Sequence, residues 1–201
     1  STNEIGVFEM REEGMCEVEN PSTAFVGERE TLESGVIVAA CIEGTRPLLI
    51  EIQALCTPSG GFGAPRRHTS GVDKRRLAML LAVLEKRMGM RLFDMDVFAN
   101  AVGGIRIHEP AADLPIALAI ASSFRNEPLP ADVAAFGEVG LSGETRPVNH
   151  PEQRLAEAAK LGFTRCLVPA RGSKRLKRNI GGCEIAPVSS LSAALRAVGM
   201  G

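Results

Sequence analysis

Two kinds of side-chain chemistry could be mounted on this chain of 201 residues: phosphate binding by clustered cations, and acyl transfer by a serine paired with a lysine. The cations make the denser pattern. Arg66 and Arg67 are followed by Lys74, Arg75 and Arg76, Arg146 follows a glycine-rich turn, and an acid-free run holds Arg171, Lys174, Arg175, Lys177 and Arg178. Cations so spaced can contact a sugar-phosphate backbone without reading its sequence. For acyl transfer the available pieces are Ser122, Ser123 or Ser142 with Lys160. Metal binding finds little support: His68, His108 and His150 do not share ligand spacing, and the five cysteines (Cys16, Cys41, Cys56, Cys166, Cys183) are widely spaced with no C-x-x-C pair. They read as reduced core residues. The stretch Gly60-Gly61-Phe62-Gly63 lacks the Lys and Ser/Thr of a phosphate-binding loop, so this chain alone is not expected to bind or hydrolyse ATP.

These residues need elements to position them. Leu77, Leu80, Leu81, Leu84 and Met88 fall at helical spacing after a capping-box-like Ser70-Gly71-Val72-Asp73. Lys74, Arg75 and Arg76 then occupy the first turn, where cations oppose the helix dipole. Two readings follow: the cations and the first-turn amides converge on a phosphate, or this is a solvated helix start compensated by Asp73. Before it, Cys56 to Gly71 reads as a loop. The continuous apolar run Val36 to Ile42 and the alternating Leu48 to Leu55 read as a strand hairpin. Ile5 to Met10 with Met15 to Val18 reads as another. Asp96 to Ala101 and Ile105 to Ile107 read as strand pieces around Gly103-Gly104.

A helix is expected from Ala112 to Ala121 behind Pro110, and a strand at Ala134 to Phe136 leads into a tight turn at Gly140 and Gly143. His150 to Leu161 reads as an amphipathic helix, Arg165 to Pro169 and Glu184 to Val188 as strands, and Ser190 to Val198 as a closing helix. The basic run from Arg171 to Arg178 is either a solvated helix face or a second phosphate patch.

The apolar content of 45% suits one globular domain, 1–201, or two closely packed subdomains of about 1–110 and 111–201. No apolar run is long enough to span a membrane and no signal pattern opens the chain, so the expectation is a soluble, cytoplasmic protein with no membrane partner. The first residue is Ser1, and the opening reads like the middle of a longer chain. Net charge is −1 overall, but residues 1–60 hold three arginines against eleven glutamates, a net −8, which leaves +7 on the remainder. There is no Trp or Tyr, and Phe62 is the loop aromatic near the basic cluster. Base stacking therefore has little to work with, and duplex backbone contact is expected.

The order of segments resembles the proteolytic domain of the Lon protease family. There a D-G-P-S-A-G pattern carries the nucleophilic serine and G-G-L-K-E-K the lysine base. The matching stretches here run from Asp113 to Leu118 and from Asn149 to Arg154, which puts Ile116 at the nucleophile and Glu152 at the base. Isoleucine has no lone pair to attack a carbonyl, and a carboxylate is no substitute for a neutral amine. The stretches Glu109 to Ser123, Phe136 to Glu144 and Leu155 to Phe163 are similar instead to the C-terminal Lon-like domain of the bacterial RadA (Sms) DNA-repair family, whose parent is a RecA-like ATPase. That resemblance implies an α+β fold of the Lon proteolytic-domain type in a catalytically inactive version, with mixed sheets packed against helices. It also implies a hexameric ring of identical subunits, contact with double-stranded or branched DNA, a recombinase partner in the full-length context, and a role in ATP-driven branch migration. A zinc ribbon and an ATPase, with their Zn, ATP and Mg, would lie upstream. No cofactor is expected in this chain.

Three functions are weighed. In the first, a binding and assembly module contacts DNA through Arg66, Arg67, Lys74, Arg75 and Arg76, with Arg146 as a weaker candidate. In the second, a scaffold forms the ring and touches no DNA. In the third, a Ser-Lys peptidase has relocated its dyad; Ser122 and Ser123 lie about two turns, roughly 9 Å, from Ile116, too far to replace the lost nucleophile.

Overall fold

The computed structural model describes residues 8–11, 14–18, 20–26, 33–60 and 63–201. Strand β1 (Phe8–Arg11) pairs antiparallel with β2 (Gly14–Glu17), as expected of the first hairpin, while Ile5, Gly6 and Val7 lie outside the described residues. A single turn, α1 (Ser22–Phe25), precedes β3 (Val36–Glu43) and β4 (Arg46–Pro58). The β3/β4 hairpin forms as its pattern predicts. Then come β5 (Arg67–Ser70), α2 (Lys74–Met88), β6 (Met95–Ala101), α3 (Asp113–Arg125), β7 (Val133–Ala135), and the short pair β8 (Glu138–Val139) and β9 (Thr145–Arg146). The chain closes with α4 (Pro151–Lys160), β10 (Arg165–Pro169), the distorted turn α5 (Ala170–Ser173), β11 (Asn179–Ile180), β12 (Cys183–Val188) and α6 (Leu191–Ala197).

Eight strands form one mixed sheet in the order β11-β12-β10-β7-β3-β4-β6-β5. The β3/β4 and β4/β6 pairs are antiparallel, whereas β3/β7, β7/β10, β10/β12 and β5/β6 are parallel. A mixed sheet with helices is compatible with the α+β expectation. Strand β3 is apolar from Val36 to Ile42 because its centre, Ile37 to Cys41, is buried on both faces. Ile37, Ala39 and Cys41 join a core shared with α2, α3 and α6, while Val38 and Ala40 join a second core with Leu155 and Ala158 of α4. Helix α3 is buried from Asp113 through Ser122 and ends at Asn126, which takes the left-handed conformation (φ 55°) that the chain needs to turn away.

Three local expectations are corrected. Cys56 to Gly71 is not all loop: β4 continues to Pro58 because β6 pairs with it past the end of β3, and Arg67–Ser70 is a polar edge strand held by its backbone, with no apolar alternation to betray it. Ile105 to Ile107 is no strand; a 3-10 turn at Val102–Gly104 diverts the chain, and the Ile107 N–H donates to the Gly71 carbonyl at 2.8 Å. The basic run after β10 is not a regular helix, since Gly172 sits at φ 103° and breaks it.

Gly35 locks the entry to β3. Its N–H donates to Ser122 Oγ at 2.8 Å, its carbonyl accepts the Ala54 N–H at 2.8 Å, and a Cβ at this φ of 84° would lie 2.1 Å from the Ala54 carbonyl oxygen. Gly35→Ala combines left-handed strain with a backbone clash, so it should lower unfolding free energy by about 2 kcal/mol or more. A denaturant midpoint equal to that of the unsubstituted chain would refute this.

Candidate nucleic-acid interface

The start of α2 carries the cations in a different arrangement from the capping box expected. Asp73, not Ser70, caps the helix: its Oδ1 accepts the N–H of Arg75 and of Arg76, both at 2.9 Å. Those amide bonds, with the nearby arginines, hold the Asp73 carboxyl below its usual range. Since a carboxylate already occupies these two amides, an incoming phosphate would meet the side chains and not the helix end.

Six sequence candidates separate into two groups. Lys74 and Arg75 stand exposed, and neither is held in a salt bridge with any described residue. The other four have partners. Arg76 turns inward and forms a two-pronged pair with Asp113 at the start of α3, with Nε to Oδ1 at 2.8 Å. Asp113 is 1% exposed and also accepts the Val139 N–H at 3.1 Å; burial pushes its carboxyl above the usual range despite these partners. Arg67 donates to the carbonyls of Leu92 (2.7 Å) and Met95, tying β5 to the loop ahead of β6. Arg66 pairs with Asp96 at 2.6 Å, though its side chain remains 72% exposed. Arg146 is clasped by Glu144 at 2.6 Å; the Ser142 hydroxyl and Arg146 hold that carboxyl down to about 2.

Tertiary structure adds residues to the first group. A groove of about 740 Å³ opens at the start of α2, and Lys74 and Arg75 share its walls with Arg106, His68 and His108. Arg106 is exposed and, among the described residues, has no salt bridge. The sequence does not single it out, and His108 is weighed there only as a metal ligand, without ligand spacing. The alternation Ile105-Arg106-Ile107-His108 was the available signal, because it points Arg106 and His108 away from the core that Ile107 enters. The second basic run, Arg171, Lys174, Arg175, Lys177 and Arg178, is exposed throughout on irregular chain. Lys177 and Arg178 line a separate cavity of about 290 Å³ with Glu184.

The positions matched to a protease dyad are also placed. Ile116 is 3% exposed within the core, and Glu152 is exposed in the first turn of α4. Ser122 Oγ accepts from Gly35 and donates to the Glu127 carbonyl at 2.5 Å, while Ser123 Oγ accepts from the Cys56 N–H at 2.9 Å. Both therefore stitch α3 to neighbouring chain. Lys160 faces Glu157 at 3.6 Å, and Ser142 Oγ donates to Glu144 at 2.5 Å. Burial pushes the thiols of Cys56 and Cys183 up to about 11, and those of Cys41 and Cys166 further, so these four stay protonated at neutral pH. Among the described residues, no helix is long and apolar enough to cross a membrane.

These features define a mixed α/β chain with a cationic groove at a helix start. Comparison with known proteins specifies it further. The chain is 50% identical over 197 residues, 98% of its length, to the DNA repair protein RadA of Bacillus subtilis, of which it covers 42%. It is 52% identical over 169 residues (84% of this chain, 37% of the relative) to that of Haemophilus influenzae, and 48% identical over 195 residues (97% and 42%) to that of Escherichia coli. A family model described as subunit ChlI of Mg-chelatase matches residues 78–172, which begins just after Lys74 and Arg75. The chain is homologous to a segment of the RadA DNA repair proteins, and it spans about two fifths of the length of the curated relatives it matches.

Proposed function

We propose that these 201 residues form a single, non-proteolytic Lon-like domain of a RadA-type DNA repair protein. In this reading the domain binds duplex DNA by its backbone and assembles with identical copies into a ring, hexameric by family resemblance, that supports ATP-driven branch migration of recombination intermediates. ATP, Mg and Zn would then belong to other parts of a longer protein, and no chemistry is assigned to this chain. The observation that carries the DNA reading is the groove, where Lys74, Arg75 and Arg106 converge from two segments with no described salt-bridge partner. Asp73 also lines the groove, but three exposed cations against one carboxylate leave net positive charge for a polyanion to complete. A ring would repeat the groove once per subunit, so modest contacts would gain from multivalency.

The engagement of Arg66, Arg67, Arg76 and Arg146 within the protein favours a second reading, a scaffold that assembles without touching DNA. Anisotropy of a labelled blunt duplex, titrated at several salt concentrations, separates the two. If three groove cations each displace a counterion, the log-log salt slope should be about −2.7 per subunit. Folded protein that ignores the duplex even at low salt would leave the scaffold.

A further inference from the structure

We propose that the sheet face beside the groove is a stacking platform for unpaired nucleotides. The site would take a single strand, or the single-stranded end of a duplex, with bases on His68 and Phe98 and phosphates in the groove. This rests on the nucleic-acid reading above and narrows its ligand.

The platform is built by strand register. Leu55 of β4 lies opposite Phe98 of β6, and Phe98 lies opposite His68 of β5. Directly opposed residues share a sheet face, so the three form a row across three strands. The other face of β6 presents Val97, Ala99 and Ala101 to the main core. The row itself is open: Leu55 is 57% exposed, His68 is exposed, and Phe98 is half-buried. The rings of His68 and Phe98 have centroids 6.2 Å apart with planes tilted by 48°, and the Arg66 guanidinium lies over the Phe98 ring, 5.6 Å from its centroid. Asp96 fixes that guanidinium through Nε at 2.7 Å. The guanidinium thus covers part of the Phe98 ring and offers a planar face of its own beside His68, while Gln53, whose Nε2 donates to Glu51 Oε1 at 2.8 Å, lies opposite Asn100 alongside.

Position relative to the groove selects the occupant. His68 and Ser70 project from β5 into the groove that Lys74, Arg75 and Arg106 line, so planar and cationic surfaces are continuous. An apolar peptide would gain nothing from three exposed cations set against the single carboxylate of Asp73. A duplex would reach the cations with its phosphates, but its bases are stacked on each other and offer no free face except at an end. Unpaired nucleotides satisfy both surfaces, because every base has a π face and its phosphate travels with it. Sequence alone gave stacking little support because Phe62 was the aromatic in view. Phe62 lies outside the described residues, and the rings that matter are brought together by pairing of β5 with β6.

The test compares a blunt duplex with the same duplex carrying a tail of about ten nucleotides, thymines around one 2-aminopurine. Anisotropy should give a tailed-to-blunt affinity ratio of about ten, within the range for stacking one or two bases. The 2-aminopurine emission should be quenched on binding. In Phe98→Leu and in His68→Ala the ratio should fall to near one and the quenching should disappear. Because His68 is exposed, its variant keeps the test decisive should the Phe98 variant fold poorly. Equal affinity for tailed and blunt duplex in the unsubstituted chain would overturn the platform and leave the groove intact. Failure to bind either at low salt would overturn the groove reading itself.

Discussion

Replacing Arg154 with alanine should lower the unfolding free energy by about 3–5 kcal/mol, the usual cost of stripping one member from a buried ion pair. Arg154 is 1% exposed, and its guanidinium makes four hydrogen bonds. It meets Glu109 through two bonds at 2.7 and 2.6 Å, donates to the Ala40 carbonyl at 2.7 Å and the Asn149 carbonyl at 2.9 Å, and stacks on Phe136. It thereby ties α4 to β3 and to the chain that leads into α3. Its loss strands the Glu109 carboxylate and leaves the Ala40 and Asn149 carbonyls without these donors. Guanidinium-chloride unfolding of Arg154→Ala should show a large drop in midpoint with a similar slope. A double replacement, Arg154→Met with Glu109→Leu, should recover part of the loss by removing both charges together. Recovery should be incomplete, because Glu109 Oε1 also accepts the Ile42 N–H at 2.6 Å. A shift of under about 1 kcal/mol in the single variant would contradict this account.

The second large effect is expected on DNA binding. Replacing Lys74, Arg75 and Arg106 together by alanine should weaken binding of a blunt duplex roughly a hundredfold at low salt and flatten the log-log slope by about 2.7. The loss should be the same on unrelated duplex sequences, because backbone contacts carry no sequence information. Thermal stability should change little, since all three side chains are exposed without described salt bridges. Arg67→Ala makes an informative contrast: its guanidinium holds backbone carbonyls of the β6 approach, so its main cost should appear in unfolding. A triple variant that binds with unchanged affinity and slope would remove the groove from the DNA reading.

Elements were legible in the sequence wherever local periodicity matched a single environment. The run Val36 to Ile42 and the leucines of α2 announced themselves because burial on two faces, or along one stripe, imposes a pattern on neighbouring residues. Edge strand β5 was illegible for the converse reason. Arg67 to Ser70 bury no apolar face, and their pairing with β6 uses backbone groups that every residue has. The cap at Asp73 was likewise ambiguous, as Ser70 three residues earlier offers the same side-chain oxygen.

For the candidate site, the sequence by itself determined that Arg66, Arg67, Lys74, Arg75 and Arg76 cluster around the start of α2. By resemblance to the Lon family it also put Ile116 and Glu152, side chains without Ser-Lys chemistry, at the dyad positions. Only the tertiary structure decided which cations are free. Whether an arginine is spent depends on the acids and carbonyls around it: Asp113 for Arg76 and Leu92 and Met95 for Arg67 come from far along the chain, whereas Glu144 stands two residues before Arg146. The same holds for the surfaces gained. Arg106 reaches the groove because a 3-10 turn redirects the chain after β6, and His68 meets Phe98 because two strands distant in sequence lie side by side. Charge is a property of a residue and can be read from a sequence. Its compensation is a property of neighbours in space, and those neighbours exist only once the sheet has closed.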